Sequence, residues 1–290
     1  MLSKYKIFVL LLALMLTIGA VSCSDDEDAP EGDDLGTEEN GDDNPGTKPP
    51  FTPPTDPATI TGVIKFEGAP PKPKPISMDA DGYCLQNNPN ATAESLVVND
   101  GKLANVIVYV KEGPVTKNSF PKPAEAATLD QKNCQYTPHV VSFMIQQDFK
   151  VLNSDNTNHN VHPLPKTNKE WNESQSPKGD PIVKTFPRQE VIPVKCNIHP
   201  WMKAYLGVFD HPFHTVSKAD GSFEIKGLPP GDYTIEAWHE TLPAQTQKVT
   251  VAAKDAKTVE FTFKAEAAYR TPEQNGVKLG AALLLDCCQH

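Results

Sequence analysis

The chain has 290 residues, with 27 Lys and Arg against 37 Asp and Glu and a net charge of −10. Twelve of the acidic residues lie between Ser24 and Pro57 against Lys48 alone, which leaves residues 58–290 near −1, so the acidic balance marks no docking face. Nothing basic clusters as nucleic-acid binding requires, and the sequence holds neither a Gly-rich phosphate loop nor a nucleophile elbow.

Lys4 and Lys6, an apolar run from Ile7 to Ile18 and the small residues Gly19, Ala20 and Ser22 precede Cys23. That order reads as a secretory signal over residues 1–22. Its apolar core is shorter than the roughly 20 residues a membrane span needs. Ala20-Val21-Ser22-Cys23 resembles a bacterial lipoprotein lipobox, and Ser24-Asp25-Asp26-Glu27 resembles the acidic stretch that follows the cysteine in Bacteroidetes lipoproteins. The resemblance implies lipidation at Cys23 and an exported protein held by its lipid in the bacterial envelope, at the outer membrane, facing the periplasm or the surface. Ordinary cleavage nearby, with Cys23 incidental, is the alternative. Residues 23–57 are Asp, Glu, Gly, Pro, Thr and Asn with almost nothing to bury, which predicts a disordered tether.

From residue 58 to 265 the pattern is β. Alternating runs rich in Val, Ile, Phe and Tyr recur between Pro, Gly, Asn and Asp clusters: Ile60–Phe66, Leu103–Val110, Val140–Ile145, Phe149–Leu152, Glu190–Val194, Ala204–Phe209, Ser222–Ile225, Tyr233–Ala237, Gln247–Val251 and Val259–Phe263. No stretch keeps a helical period over three turns. Short strands at this spacing predict an all-β chain of sandwiches.

Within this pattern, Cys196, His199 and Met202 fall in Val-Lys-Cys-Asn-Ile-His-Pro-Trp-Met, and His159 lies upstream in Asn-Ser-Asp-Asn-Thr-Asn-His-Asn-Val-His. A thiolate, two imidazoles and a weak thioether are the donors of a type 1 copper centre. A cysteine at a strand end, followed by a tight loop that Pro200 stiffens, turns the next two donors toward one point. Zinc competes for Cys and His, but its structural sites do not use a thioether. Read singly, Cys196 is a buried thiol, His199 a loop residue and Met202 a core filler.

Gln147-Asp148-Phe149-Lys150-Val151-Leu152-Asn153-Ser154-Asp155, then His159-Asn160, the strand into Cys196, and Gly207-Val208-Phe209 together resemble the cupredoxin family, most closely amicyanin and plastocyanin. The resemblance covers about Leu129 to His211 and implies a Greek-key sandwich holding one copper ion on His159, Cys196, His199 and Met202. It implies that Asn160 hydrogen-bonds beside the thiolate and that His199, on the exposed edge, is the electron exit. His162, three residues after His159, falls on the opposite strand face and reads as a hydrogen-bonding side chain. His139, His211, His214 and His239 read as structural, and Trp201 as local packing or an apolar collar for a partner.

Asp220-Gly221-Ser222-Phe223-Glu224-Ile225 and Gly227-Leu228-Pro229-Pro230-Gly231-Asp232-Tyr233 place hairpin turns before strands. They resemble the carboxypeptidase regulatory-like domain, a transthyretin-like sandwich without catalytic residues, whose first strand is loosely matched by Ile60-Thr61-Gly62-Val63. The expected order is residues 58–125 as the first part of that sandwich, 126–211 as the cupredoxin and 212–265 as the second part, with 266–290 a tail. The cupredoxin is then packed with the other sandwich or inserted into it, two consecutive sandwiches being the alternative. Cys84 and Cys134, in an exported chain, predict a disulfide. Cys287 and Cys288 in the tail have no assigned role.

These readings predict a membrane-anchored blue copper protein, not an enzyme, passing single electrons to a redox partner such as a cytochrome or a dehydrogenase. Two alternatives remain: a surface-anchored module binding protein or polysaccharide, with Trp171, Tyr233 or Trp238 stacking on sugar, and an envelope protein for copper sequestration or delivery.

Overall fold

A computed structural model describes residues 48–265. The expected signal, Cys23, most of the expected tether, and residues 266–290 with Cys287 and Cys288 lie outside the described residues. The described chain is almost entirely β, in four sheets that pair into two sandwiches.

In the first sandwich, β1 (Ala58–Glu67) is antiparallel to β15 (Ser222–Leu228) and β3 (Lys102–Leu103) and parallel to β18 (Ala256–Lys264), with β2 (Val98–Asn99) beside β3. The facing sheet runs β14 (His214–Val216), β4 (Ile107–Glu112), β16 (Gly231–Trp238) and β17 (Gln245–Val251). Strict alternation in β1 sends Ala58, Ile60, Ile64 and Phe66 inward against Phe223, Ile225, Ile235 and Phe261. Each large apolar side chain so buried contributes about 1.5–3 kcal/mol.

The second sandwich faces β10 (Glu173–Gln175), β9 (His159–Pro163), β12 (Glu190–Lys195), β13 (Lys203–Phe209) and β7 (Val140–Met144), in that order, against β11 (Ile182–Lys184), β8 (Phe149–Asn153), β5 (Ala127–Lys132) and β6 (Gln135–Thr137). Phe143, Phe149 and Phe186 fill its centre, the first two stacked with centroids 5.2 Å apart. Strands β5 to β13 all lie here, and the first sandwich is assembled from chain on both sides of them. A third apolar cluster, Ile107, Val140 and Phe209 with Tyr109, Tyr205 and Trp238, joins the two cores.

Three boundaries differ from the sequence reading. Leu103–Val110 is two strands in different sheets, because Asn105 turns the chain through the left-handed region (φ 62°). Residues 48–57 are not free tether: Pro50 bridges to Ser119, and the Phe51 ring packs 4.8 Å from Phe120 and 5.7 Å from Phe213. The stretch around a short helix, α1 (Gly82–Asn87), falls in the range expected of the first sandwich, yet Met78, Cys84 and Ala91 are buried in the core of the second.

Candidate metal centre

Strands β9 and β12 are antiparallel neighbours, with Lys195 opposite His162, so the start of one lies near the end of the other. His159 opens β9, and Cys196 directly follows β12. The loop from Cys196 to Met202 closes the β12–β13 hairpin. It is held by Cys196 N–H on the Met202 carbonyl (3.3 Å) and Met202 N–H on the His199 carbonyl (2.9 Å). Local chain geometry and sheet register thus bring His159, Cys196 and His199 together, their donor atoms all within 4.8 Å of one another. Each of the three side chains is at most 1 % exposed, and Met202 is buried in the same core.

The two imidazoles are oriented alike. Their Nδ1 atoms face each other at 2.8 Å, and both Nε2 atoms point away to a carboxylate. His159 Nε2 lies 2.9 Å from Asp155 Oδ2, and His199 Nε2 lies 3.1 Å from Asp81 Oδ2. An outer carboxylate fixes which ring nitrogen carries the proton and leaves the other free as a donor. Asp155 also accepts the N–H groups of Asn133 and Cys134, both at 2.7 Å. Although burial raises its pKa, these bonds and the one to His159 outweigh it and hold the carboxyl below the usual range.

Burial alone raises the Cys196 pKa, but the two histidine rings beside the sulfur and the N–H groups of Asn160 (3.5 Å) and His199 (3.3 Å), which donate to it, lower it to about 6. That shift favours the thiolate, the form that binds metal. Asn160 acts on the loop as well: its Oδ1 accepts from Asn197 N–H and Ile198 N–H, and its Nδ2 donates to Asn172. Below the loop, the Tyr136 hydroxyl donates to the Asn160 carbonyl (2.6 Å) and reaches that of Lys195 (3.1 Å), tying β9 and β12 to β6.

Cys84 and Cys134 are joined in a disulfide, leaving Cys196 as the free thiol among the described residues. His162 is turned away from the cluster, bonded to Asn197 and Glu170. The placing of His199 on an exposed edge is corrected: it is 1 % exposed, because α1 and the disulfide fold over its outer face and the Trp201 ring packs 4.9 Å from it. Trp201, half-buried, donates to the Cys134 carbonyl (3.0 Å) and borders a cleft of about 450 Å³ that also takes in Met202, Tyr205, His139 and Glu240. Of the aromatics named for sugar stacking, one is buried and two are half-buried. Tyr233 is buried in the first core, Trp238 packs on Tyr205 between the sandwiches, and Trp171 lies against the second core.

Residues 207–264 match the carboxypeptidase regulatory-like domain family, which agrees with the first sandwich from β14 onward. No curated protein matches the chain. Among solved structures, a purple cupredoxin from Nitrosopumilus maritimus is 19 % identical, with a TM-score of 0.25 over 28 % of this chain and 98 % of that one. A copper-containing nitrite reductase from Thermus scotoductus is 16 % identical, with a TM-score of 0.28 over 35 % of this chain and 28 % of that one. A methionine-to-alanine mutant of amicyanin in its Cu(I) form is 18 % identical, with a TM-score of 0.27 over 30 % of this chain and 85 % of that one.

Proposed function

We propose that the protein is a one-electron carrier of the bacterial envelope, built on a single type 1 copper ion and tethered by lipid at Cys23. The observation that carries this reading is the buried Cys196 sulfur beside two imidazoles whose Nδ1 atoms face each other and whose rings are each held from behind by a carboxylate. The donor set fits: Cys196, His159 and His199 would hold the ion, with Met202, buried in the same core, offering a thioether, and this combination of donors suits copper in both oxidation states. Copper bound there supplies reversible exchange of one electron.

The chain's own residues do the rest. Asn160 and the His199 N–H hold the sulfur by donating to it, and Asp155 and Asp81 hold the rings. Donors drawn from β9 and from a braced hairpin loop would be held in one arrangement with either oxidation state of the ion, which would lower the reorganisation that electron exchange needs. If Met202 joined the three donors, the ion would be held by the chain alone, which is why this reading is a carrier and not an enzyme. Trp201, partly exposed and packed on His199, is the side through which a cytochrome or dehydrogenase partner exchanges electrons.

Titration of the full chain with Cu(II), followed by visible absorption and EPR, tests the proposal. An intense blue colour saturating at one equivalent, with the narrow hyperfine splitting of a type 1 centre, is expected, and Cys196→Ser abolishes both. A colourless one-to-one complex with Cys196 intact overturns it.

A further inference from the structure

Asp81 stands 118 residues before His199 in sequence and belongs to no part of the cupredoxin resemblance, yet its carboxylate meets four groups. Its Oδ1 accepts the N–H of Tyr83 (2.8 Å) and of Cys84 (3.2 Å), capping α1. Its Oδ2 accepts the Thr157 hydroxyl (2.8 Å), in the loop that leads into His159, and faces His199 Nε2 at 3.1 Å. The helix is pinned to the second sandwich by the Cys84–Cys134 disulfide and by Asn88 Nδ2, which donates to the Asn133 carbonyl (3.0 Å) and to Gln135 Oε1 (2.9 Å). Cys84 Sγ lies 3.9 Å from His199 Nε2, so carboxylate and disulfide together close that ring's outer edge.

We propose that Asp81 is a positioning residue for the metal centre and that the disulfide-pinned helix exists to hold it there. Resting on the copper reading above, this assigns the stretch around α1 to the site and not to the first sandwich. Asp81 accepts the proton on His199 Nε2 and so keeps the Nδ1 lone pair aimed at Cys196 and His159. A carboxylate on the outer nitrogen makes the inner one more basic, which favours Cu(II) over Cu(I) and lowers the potential. Loss of such an outer partner typically costs 10–100-fold in metal affinity.

Asp81→Asn separates this role from helix capping, because asparagine caps as well as aspartate does, but with its single oxygen on the helix amides its Nδ2 presents donors, not an acceptor, to His199 Nε2–H. The full chain carrying Asp81→Asn is expected to stay folded without metal, to bind Cu(II) about 10–100-fold more weakly and to show a higher potential and an altered EPR spectrum. Asp81→Ser, also a good cap, gives the same result. Cys84→Ala with Cys134→Ala, which leaves Asp81 in place but unpins it, gives a smaller loss in the same direction. Imidazole nitrogen NMR on the metal-free protein supplies a readout without copper: His199 is Nε2-protonated in the wild type, and that proton's resonance shifts or broadens in Asp81→Asn. Wild-type copper affinity and potential in Asp81→Asn, or a His199 ring protonated on Nδ1 in the wild type, overturns the proposal. A wild type that takes up no copper but shows the expected tautomer overturns the copper reading alone.

Discussion

Asn160 serves the site through backbone and side chain at once. Its N–H reaches the Cys196 sulfur at 3.5 Å, while its side chain accepts two loop amides and donates to Asn172. Asn160→Ala leaves the backbone bond to sulfur and strands the amides of Asn197 and Ile198, at a cost of about 1–3 kcal/mol for unpaired, partly buried donors. In a body of this size that lowers the thermal midpoint by roughly 2–4 °C per kcal/mol. Calorimetry on the metal-free chain measures it, and an unchanged midpoint would show that water replaces the asparagine at no loss. Asn160 was legible in sequence because it adjoins His159, just as Cys196, His199 and Met202 share one loop. The two carboxylates behind the rings were not. Asp155 sits four residues before its histidine but reads as one more loop aspartate, and Asp81 reaches His199 only through a helix whose place is set by a distant disulfide.

Strand β1 shows what a sequence pattern can and cannot carry at the level of elements. Its period-2 alternation predicts the inward face, but nothing local announces that β1 lies between β15 and a parallel β18, since both partners arrive about 160 or more residues later. Gly62 records that position. A Cβ there would lie 2.0 Å from the Val259 carbonyl oxygen and 2.3 Å from the Phe223 ring, so the bare backbone is what lets the neighbouring strand and ring approach. Gly62→Ala is expected to destabilise by at least the 1–3 kcal/mol of a typical overpacked core. Because the clash lies in the first sandwich, copper spectra of the folded fraction remain those of the wild type. An altered spectrum would mean that the first sandwich shapes the site directly. The short elements were the least legible: β10, β11 and β14 have three residues each and α1 six, too few for a period to stand out.

At the scale of the molecule, the seam between the sandwiches holds charge as well as apolar surface. His139, from the second sandwich, lies between the Lys203 carbonyl (3.1 Å) and Glu240 Oε1 (2.5 Å), and Glu240 follows the last strand residues of β16 in the first. Burial raises the Glu240 pKa, but its bonds with His139 and Tyr205 overcome this and leave it lowered. The adjacent His239 is 3 % exposed, its Nδ1 accepting from Thr241 N–H at 3.3 Å and its buried Nε2 without a partner among the described residues. Burial, aided by His139 and opposed by Glu240, pushes its pKa down from 6.5 to about 4. The unfolded chain therefore takes up a proton near pH 6.5 that the folded chain refuses until about pH 4. Stability from this residue is complete above pH 6.5 and declines as pH falls through that window, by about 3 kcal/mol at its lower end. His239→Asn keeps an acceptor for the Thr241 amide and removes the titration, so the midpoint of the metal-free variant should fall less steeply than that of the wild type between pH 6.5 and 4. Parallel curves over that range would mean that the histidine is solvated on acidification without loss of the fold, and that the seam opens before the cores do.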